Sequence, residues 1–158
     1  MVWLVMAIIA IATGNPAARE RDCEIVDYGI HDPDMPRVQF EDPTSASGER
    51  FESDDVTFIE RTRVVDKAIG TGFGFQFQLH HLATTRPVHM MWRITFPKGG
   101  IRGHKKWEHA FDENVPDGEL LQHLLFDFDH DYELVSGTFT FDVLVDGKPK
   151  CSIAFSVR

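Results

Sequence analysis

Residues 131–158 read DYELVSGTFTFDVLVDGKPKCSIAFSVR, and this stretch decides the fold class. Phe139, Phe141, Val143 and Val145 recur at every second position, Asp146-Gly147 supplies a reversal, and Ile153, Phe155 and Val157 resume the alternation on the return. A period of two puts one face on a core and the other in water, the pattern of a half-buried antiparallel hairpin. Asp-Gly suits its two-residue turn, where both central residues need positive φ.

The same period recurs upstream. Gly70-Thr71-Gly72 introduces FGFQFQLHH, with Phe73, Phe75, Phe77 and Leu79 in register; Val88, Met90, Trp92, Ile94 and Phe96 form a second row, ended by Pro97-Lys98-Gly99-Gly100. Trp107 to Phe111 reads as a short strand, and Leu120 to Asp129 carries Leu124, Phe126 and Phe128 in register, although Leu120, Leu121, Leu124 and Leu125 also fit one short helix over Glu119 to Leu125. Nearer the start, Cys23 to Ile30 and Val56 to Val65 are strand candidates, while His31 to Asp55 is rich in Pro, Asp, Glu, Ser and Gly and reads as loop with one short strand around Val38 and Phe40. Seven or eight short strands separated by turn signals predict an all-β chain, a two-sheet antiparallel sandwich rather than a closed barrel. Tyr132, just before a late strand, suggests the corner at which such folds bond a tyrosine hydroxyl back to the backbone.

At 158 residues, 42% hydrophobic, the chain is sized for one domain with one core. Its formal net charge of -9 repels polyanions and argues against nucleic acid as a partner. Residues 1–14, MVWLVMAIIAIATG, are uncharged and end in small residues. The run is shorter than the ~20 apolar residues of a membrane span and matches the apolar region of a secretory signal, with Ala12-Thr13-Gly14 as cleavage site. It lacks the usual basic residue ahead of it, and a buried N-terminal strand or helix is the alternative. The expected organisation is a signal peptide over 1–14 and a single sandwich domain over 15–158, periplasmic or secreted, with no stable membrane insertion once the leader is removed.

The segments IVDYGIHD, FIERTRVV, GTGFGFQFQL, VHMMWRITFP and YELVSGTFTFDVLVDGKPKCSIAFSV together resemble a bacterial family of small exported proteins known as a domain of unknown function. The resemblance spans nearly the whole mature chain and is most specific over Glu133 to Phe139, where the family more often carries Pro and Trp at the positions of Ser136 and Phe139. It implies a periplasmic immunoglobulin-like sandwich and brings no catalytic or ligand residues with it. In such sandwiches the terminal strands often run side by side. Cys23, at the start of the first expected strand, and Cys151, at the start of the last, are therefore candidates for one disulfide; two buried thiols acting as small apolar residues are the alternative.

Four groups of residues invite chemistry. His80, His81 and His89 with Met90 and Met91 combine imidazole and thioether, a donor set suited to copper, and make a metal-binding carrier the alternative function. Against it, adjacent strand residues face opposite ways and Met90 belongs to the core row. Asp127, Asp129, Asp131 and Glu133 superficially follow a calcium loop, but Tyr132 and Thr138 stand where its glycine and closing glutamate belong; strand alternation, with Phe126 and Phe128 inward and the aspartates outward, explains the series more simply. The basic loop KGGIRGHKK lacks the spacing and following helix of a phosphate loop. Ser136 and Ser152 have no GxSxG context. The expectation is a non-enzymatic binding or accessory domain without a cofactor, whose partner is an unidentified protein or small ligand.

Overall fold

The computed structural model describes residues 21–158, so the expected leader lies outside the described residues. Seven strands carry the sandwich: β1 (Cys23–His31), β6 (Gly72–Leu79), β7 (Val88–Thr95), β8 (Lys106–Glu113), β9 (Leu120–Asp127), β10 (Gly137–Val145) and β11 (Lys148–Val157). Four shorter ones, β2 (Val38–Glu41), β3 (Glu49–Glu52), β4 (Phe58–Glu60) and β5 (Val64–Val65), complete the set. One sheet has the order β4-β1-β6-β9 and the other β5-β11-β10-β7-β8, while β2 and β3 pair only with each other. No α-helix occurs among the described residues; a single 3-10 turn covers Asp131–Glu133.

The deciding hairpin forms as its pattern requires. Val145 pairs with Lys148 across a two-residue turn in which Asp146 (φ 49°) and Gly147 (φ 76°) both take positive φ, the geometry that matches strand twist. Phe139, Phe141, Val143, Ile153, Phe155 and Val157 are all buried. Across the core Phe73 is a hub: its ring centroid lies 5.2 to 5.9 Å from those of Phe126, Phe128, Phe139, Phe141 and Phe155, all tilted or edge-to-face. Such pairs contribute about 0.5–1.5 kcal/mol each beyond burial.

Two expectations are corrected, and the strand reading of a third segment holds over its helical alternative. Val56 to Val65 is two strands: β4 runs antiparallel to β1, β5 runs parallel to β11, and the polar residues Arg61 to Arg63 carry the chain from one sheet to the other, which leaves Ile59 62% exposed and Val65 buried. The segment after His31 holds a complete hairpin, because Glu49–Glu52 pairs with Val38–Glu41. The leucines after Glu119 are strand, with Leu124 buried and Leu121 51% exposed on opposite faces. Tyr132 also departs from the corner pattern: its ring stacks on His130 at 5.0 Å and lies under the Arg102 guanidinium at 4.6 Å.

Candidate functional site

The two sheets do not close on each other where β8 and β9 end them. On β8 the alternation sends Trp107, His109 and Phe111 to one side, against Trp92 on the neighbouring β7. Trp107 and His109 are nearly parallel (6.0 Å, 12°), as are His109 and Phe111 (5.3 Å, 27°), and Trp92 meets Phe111 edge-on at 4.9 Å. In the interior of a sandwich this row would be core. At the edge it stays half-buried, and Trp107 and His109, with Trp92, wall a cleft whose other wall is β9, with Leu121, His123, Leu125 and Asp127. The β2–β3 hairpin roofs it. The cleft holds a cavity of about 320 Å³, adjoined by a smaller one of about 100 Å³, and Arg50, Phe51, Trp107, Leu125 and Asp127 line both.

Because β2 and β3 join neither sheet, side chains hold the roof in place. Asp42, 6% exposed, accepts from the Trp107 indole Nε1 (2.8 Å), the Thr44 hydroxyl (2.6 Å) and the Thr44 backbone N–H (2.9 Å). Burial pushes its carboxyl up, but these donors outweigh it and hold the group below the usual carboxylate range. Arg37 donates to both carboxylate oxygens of Asp129 (3.0 and 3.2 Å), and its guanidinium covers the Phe51 ring at 4.2 Å. Bidentate Arg–carboxylate geometry is the more stable form of such pairs.

Beneath Arg37 lies His31, 2% exposed. Its Nε2 sits 3.0 Å from Asp127 Oδ1, in ion-pair range but outside the geometry of a directed hydrogen bond, and its Nδ1 is 3.0 Å from the Asp32 carbonyl. Burial disfavours the imidazolium, yet Asp127 and the Asp32 carbonyl outweigh burial and raise the pKa above the ordinary 6.5. Gly72 makes the contact possible: a Cβ there would overlap both the imidazole and the Asp127 carboxylate, so His31 reaches across β6 only because this position has no side chain. Two other histidines behave oppositely. His109 and His123 are held below 6.5, first by burial and then by neighbouring positive charge, from Arg50 and His31 respectively, and both favour the neutral form. Among the described residues three buried side-chain nitrogens lack a hydrogen bond, and all lie here: His31 Nε2 and Arg50 Nη1, which face Asp127 and Glu52 in ion pairs, and the Trp92 indole nitrogen.

The residues singled out by sequence are distributed otherwise. Cys23 and Cys151 are joined as a disulfide, Cα to Cα 5.8 Å. Here the expectation of neighbouring terminal strands is corrected: β1 and β11 belong to different sheets, Cys151 is the fourth residue of β11, and the bridge ties one sheet to the other. His80 pairs with Glu119 at 2.6 Å and His89 with Asp112 at 2.9 Å, while Met90 is fully buried, so the proposed copper donors are not brought to one point. No group of three or more His, Cys, Asp or Glu placed to hold a metal occurs among the described residues.

The acidic series is likewise dispersed, and alternation does not account for it, because β9 ends at Asp127. Asp127 faces His31, Asp129 faces Arg37, and the buried Glu133 accepts the backbone N–H groups of Asp129 and His130 at 2.8 Å each; burial still holds its carboxyl above the usual range. The basic loop is a tight turn with Ile101 buried and bridged to His104, and Lys106 pairs with Glu108 at 2.8 Å. Ser136 accepts from Lys67 Nζ at 2.8 Å, and Ser152 is exposed. Sequence reasoning missed His31, Asp42 and the role of Trp92 and Trp107. The available signal was that both tryptophans outside the leader fall in strands that prove adjacent.

Two sheets in this antiparallel arrangement are an immunoglobulin-like sandwich, and a solved structure agrees: an immunoglobulin-like protein from Pseudomonas aeruginosa matches with a TM-score of 0.54 at 19% identity, over 89% of this chain and 99% of that one. The chain belongs to the family described as a domain of unknown function, DUF3859, whose model matches residues 19–157. A Pseudomonas fluorescens alkylpurine DNA glycosylase bound to DNA containing an abasic site analog matches at a TM-score of 0.45 and 17% identity, over 61% of this chain and 28% of that one, a likeness too low to bear on fold or function. Comparison with curated proteins finds no match. No helix among the described residues is long and apolar enough to cross a membrane.

Proposed function

We propose that this chain is an exported, non-enzymatic binding or accessory domain, periplasmic or secreted, that takes its ligand in the cleft between the β8 and β9 edges. The single observation that supports it is the cleft's construction. A row of aromatic rings is left half-buried at an open sandwich edge, under a hairpin that is held by side chains and not by strand pairing. The cleft is concave and sets these rings beside charged and polar groups of the roof and of β9. Export is supported by the apolar leader over residues 1–14, and an oxidising compartment suits the Cys23–Cys151 bridge.

Two measurements test this. N-terminal sequencing of the protein from its native host should begin within a few residues of Asn15, and an intact Met1 in a soluble cytoplasmic fraction would contradict export. Native mass spectrometry of the same material should show a bound species that is lost when Leu125→Trp fills the cleft. A bound species indifferent to that substitution would place binding elsewhere.

A further inference from the structure

His109 stands where the roof meets the β8 wall. Its imidazole is half-buried between Trp107 and Phe111, whose rings lie nearly parallel to it at 6.0 and 5.3 Å, and its neighbours on this face, Trp92, Trp107 and Phe111, carry no charge. The charges it meets come from the roof: Arg50 on β3, and Asp42 just after β2. Arg50 is pinned, with its guanidinium over the Phe40 ring at 4.5 Å and in an ion pair with Glu52, so both of its anchors lie on the hairpin. Asp42 already accepts from the Trp107 indole and from Thr44.

We propose that the β2–β3 roof is a proton-released lid: a positive charge on the His109 imidazole, beside Arg50, drives the roof off the β8 wall and opens the cleft. The device belongs to the roof and acts whether or not the cleft is filled. With the roof down, an imidazolium at position 109 is short of water and faces a guanidinium fixed in place. With the roof up it is hydrated, and Arg50 has left with the hairpin. The state that holds the proton more readily gains population as pH falls. The roofed fold holds His109 below 6.5, by burial first and by Arg50 second, against a weaker pull from Asp42. Closure is therefore fully favoured above pH 6.5 and is lost as pH falls through the lowered value.

The other charged groups around the roof do not supply this response. His123, on the β9 wall, is kept neutral by burial and by His31, but the roof brings it the Ser53 backbone, Asp54 and Asp55, all of which favour its charged form. His31 faces Asp127 across β6 and keeps its charge on the acid side of its raised value, and Arg37 is clamped to Asp129. Asp42, held below the usual carboxylate range, stays ionised throughout. Glu133, raised by burial, binds the backbone of Asp129 and His130 and not the β8 wall. Of the two histidines that face the roof, only His109 meets a roof cation that outweighs the roof carboxylate beside it.

The Trp107 indole N–H reports the lid directly, because its acceptor Asp42 is carried by the roof. Its hydrogen exchange is followed by NMR on the oxidised protein from pH 7.5 to 5.5, corrected for the pH dependence of a free indole. Protection should fall by about three- to tenfold over that range in wild type, tenfold corresponding to one pH unit between the roofed and open forms. The fall should vanish in His109→Gln and in His109→Phe, which keeps a ring in the stack, and persist in His123→Gln. His31 and Glu133 remain in every variant, so the difference from wild type isolates His109. Should one His109 variant fail to fold, as judged by circular dichroism, the other carries the comparison. Protection that is flat or rises on acidification of wild type overturns the proposal, as does an undiminished fall in the His109 variants or its loss in His123→Gln alone. An indole that exchanges only by global unfolding, with the full urea dependence of the core strands, overturns it as well.

Discussion

The molecule contains two hairpins built on different principles. The β10–β11 hairpin sits inside a five-stranded sheet, and its alternate residues are buried in the phenylalanine core. The β2–β3 hairpin pairs with neither sheet, leaves Val38 61% and Phe40 38% exposed, and is secured by Asp42, Arg37 and their partners. One is held by apolar area, which is cooperative and dry. The other is held by a few polar contacts, each worth about 0.5–3 kcal/mol, and can part from the sandwich without dismantling it. Stability and access to the cleft are thereby assigned to different parts of the chain.

The largest expected effect concerns the sandwich. The Cys23–Cys151 bridge closes a sequence separation of 128 residues, for which the chain-entropy relation gives about 5 kcal/mol less any native strain. Reduction should therefore lower the urea midpoint sharply. Labelling of both thiols in the unfolded but unreduced protein from its native host would show that no bridge forms. Phe73→Ala should follow closely, at about 3–5 kcal/mol, because it removes the ring that five others touch. Phe51→Ala in the roof should cost under about 1 kcal/mol in the same denaturation assay, since Phe51 is only half-buried. Equal costs would erase the distinction between the two regions.

Gly72→Ala strikes the boundary between them. The added methyl displaces His31 from Asp127, at about 1–3 kcal/mol, and a crystal structure of the variant should show the imidazole moved off β6. The smallest effect is that of pH. His31 titrates above 6.5 in the fold, so what its charged form contributes is fully present below pH 6.5 and is lost as pH rises through the raised value. The stability gap between wild type and His31→Gln should shrink over that rise, read from urea unfolding at each pH. For His123, held below 6.5, the sign reverses: stability present above 6.5 is lost as pH falls through the lowered value. A gap for His31→Gln that widened with rising pH would contradict the ion pair with Asp127.

What was legible in the sequence follows the same division. The rows of Phe73, Phe75 and Phe77 and of Phe139, Phe141 and Val143 announced themselves because core burial imposes a local period of two. The roof did not, because Arg37 meets Asp129 across 92 residues and Asp42 meets Trp107 across 65, and no local pattern encodes such pairs. His31 was equally hidden: its environment depends on a glycine 41 positions later in the numbering (72 against 31) that reads, in sequence, only as part of a turn. Met90 and Trp92 illustrate the limit on one strand. The same alternation puts both on the inner face, but only the topology says that the sandwich is closed over the first and open over the second.

Native-state hydrogen exchange, followed residue by residue on the oxidised protein, tests the central division most directly. Amides of β2 and β3 should exchange through local opening, at free energies well below that of global unfolding and nearly independent of denaturant, while those of β6, β10 and β11 exchange only with global unfolding. Exchange of β2 and β3 at the global free energy, with the same denaturant dependence as the core strands, would mean that the roof is part of the cooperative sandwich and that the cleft beneath it is closed.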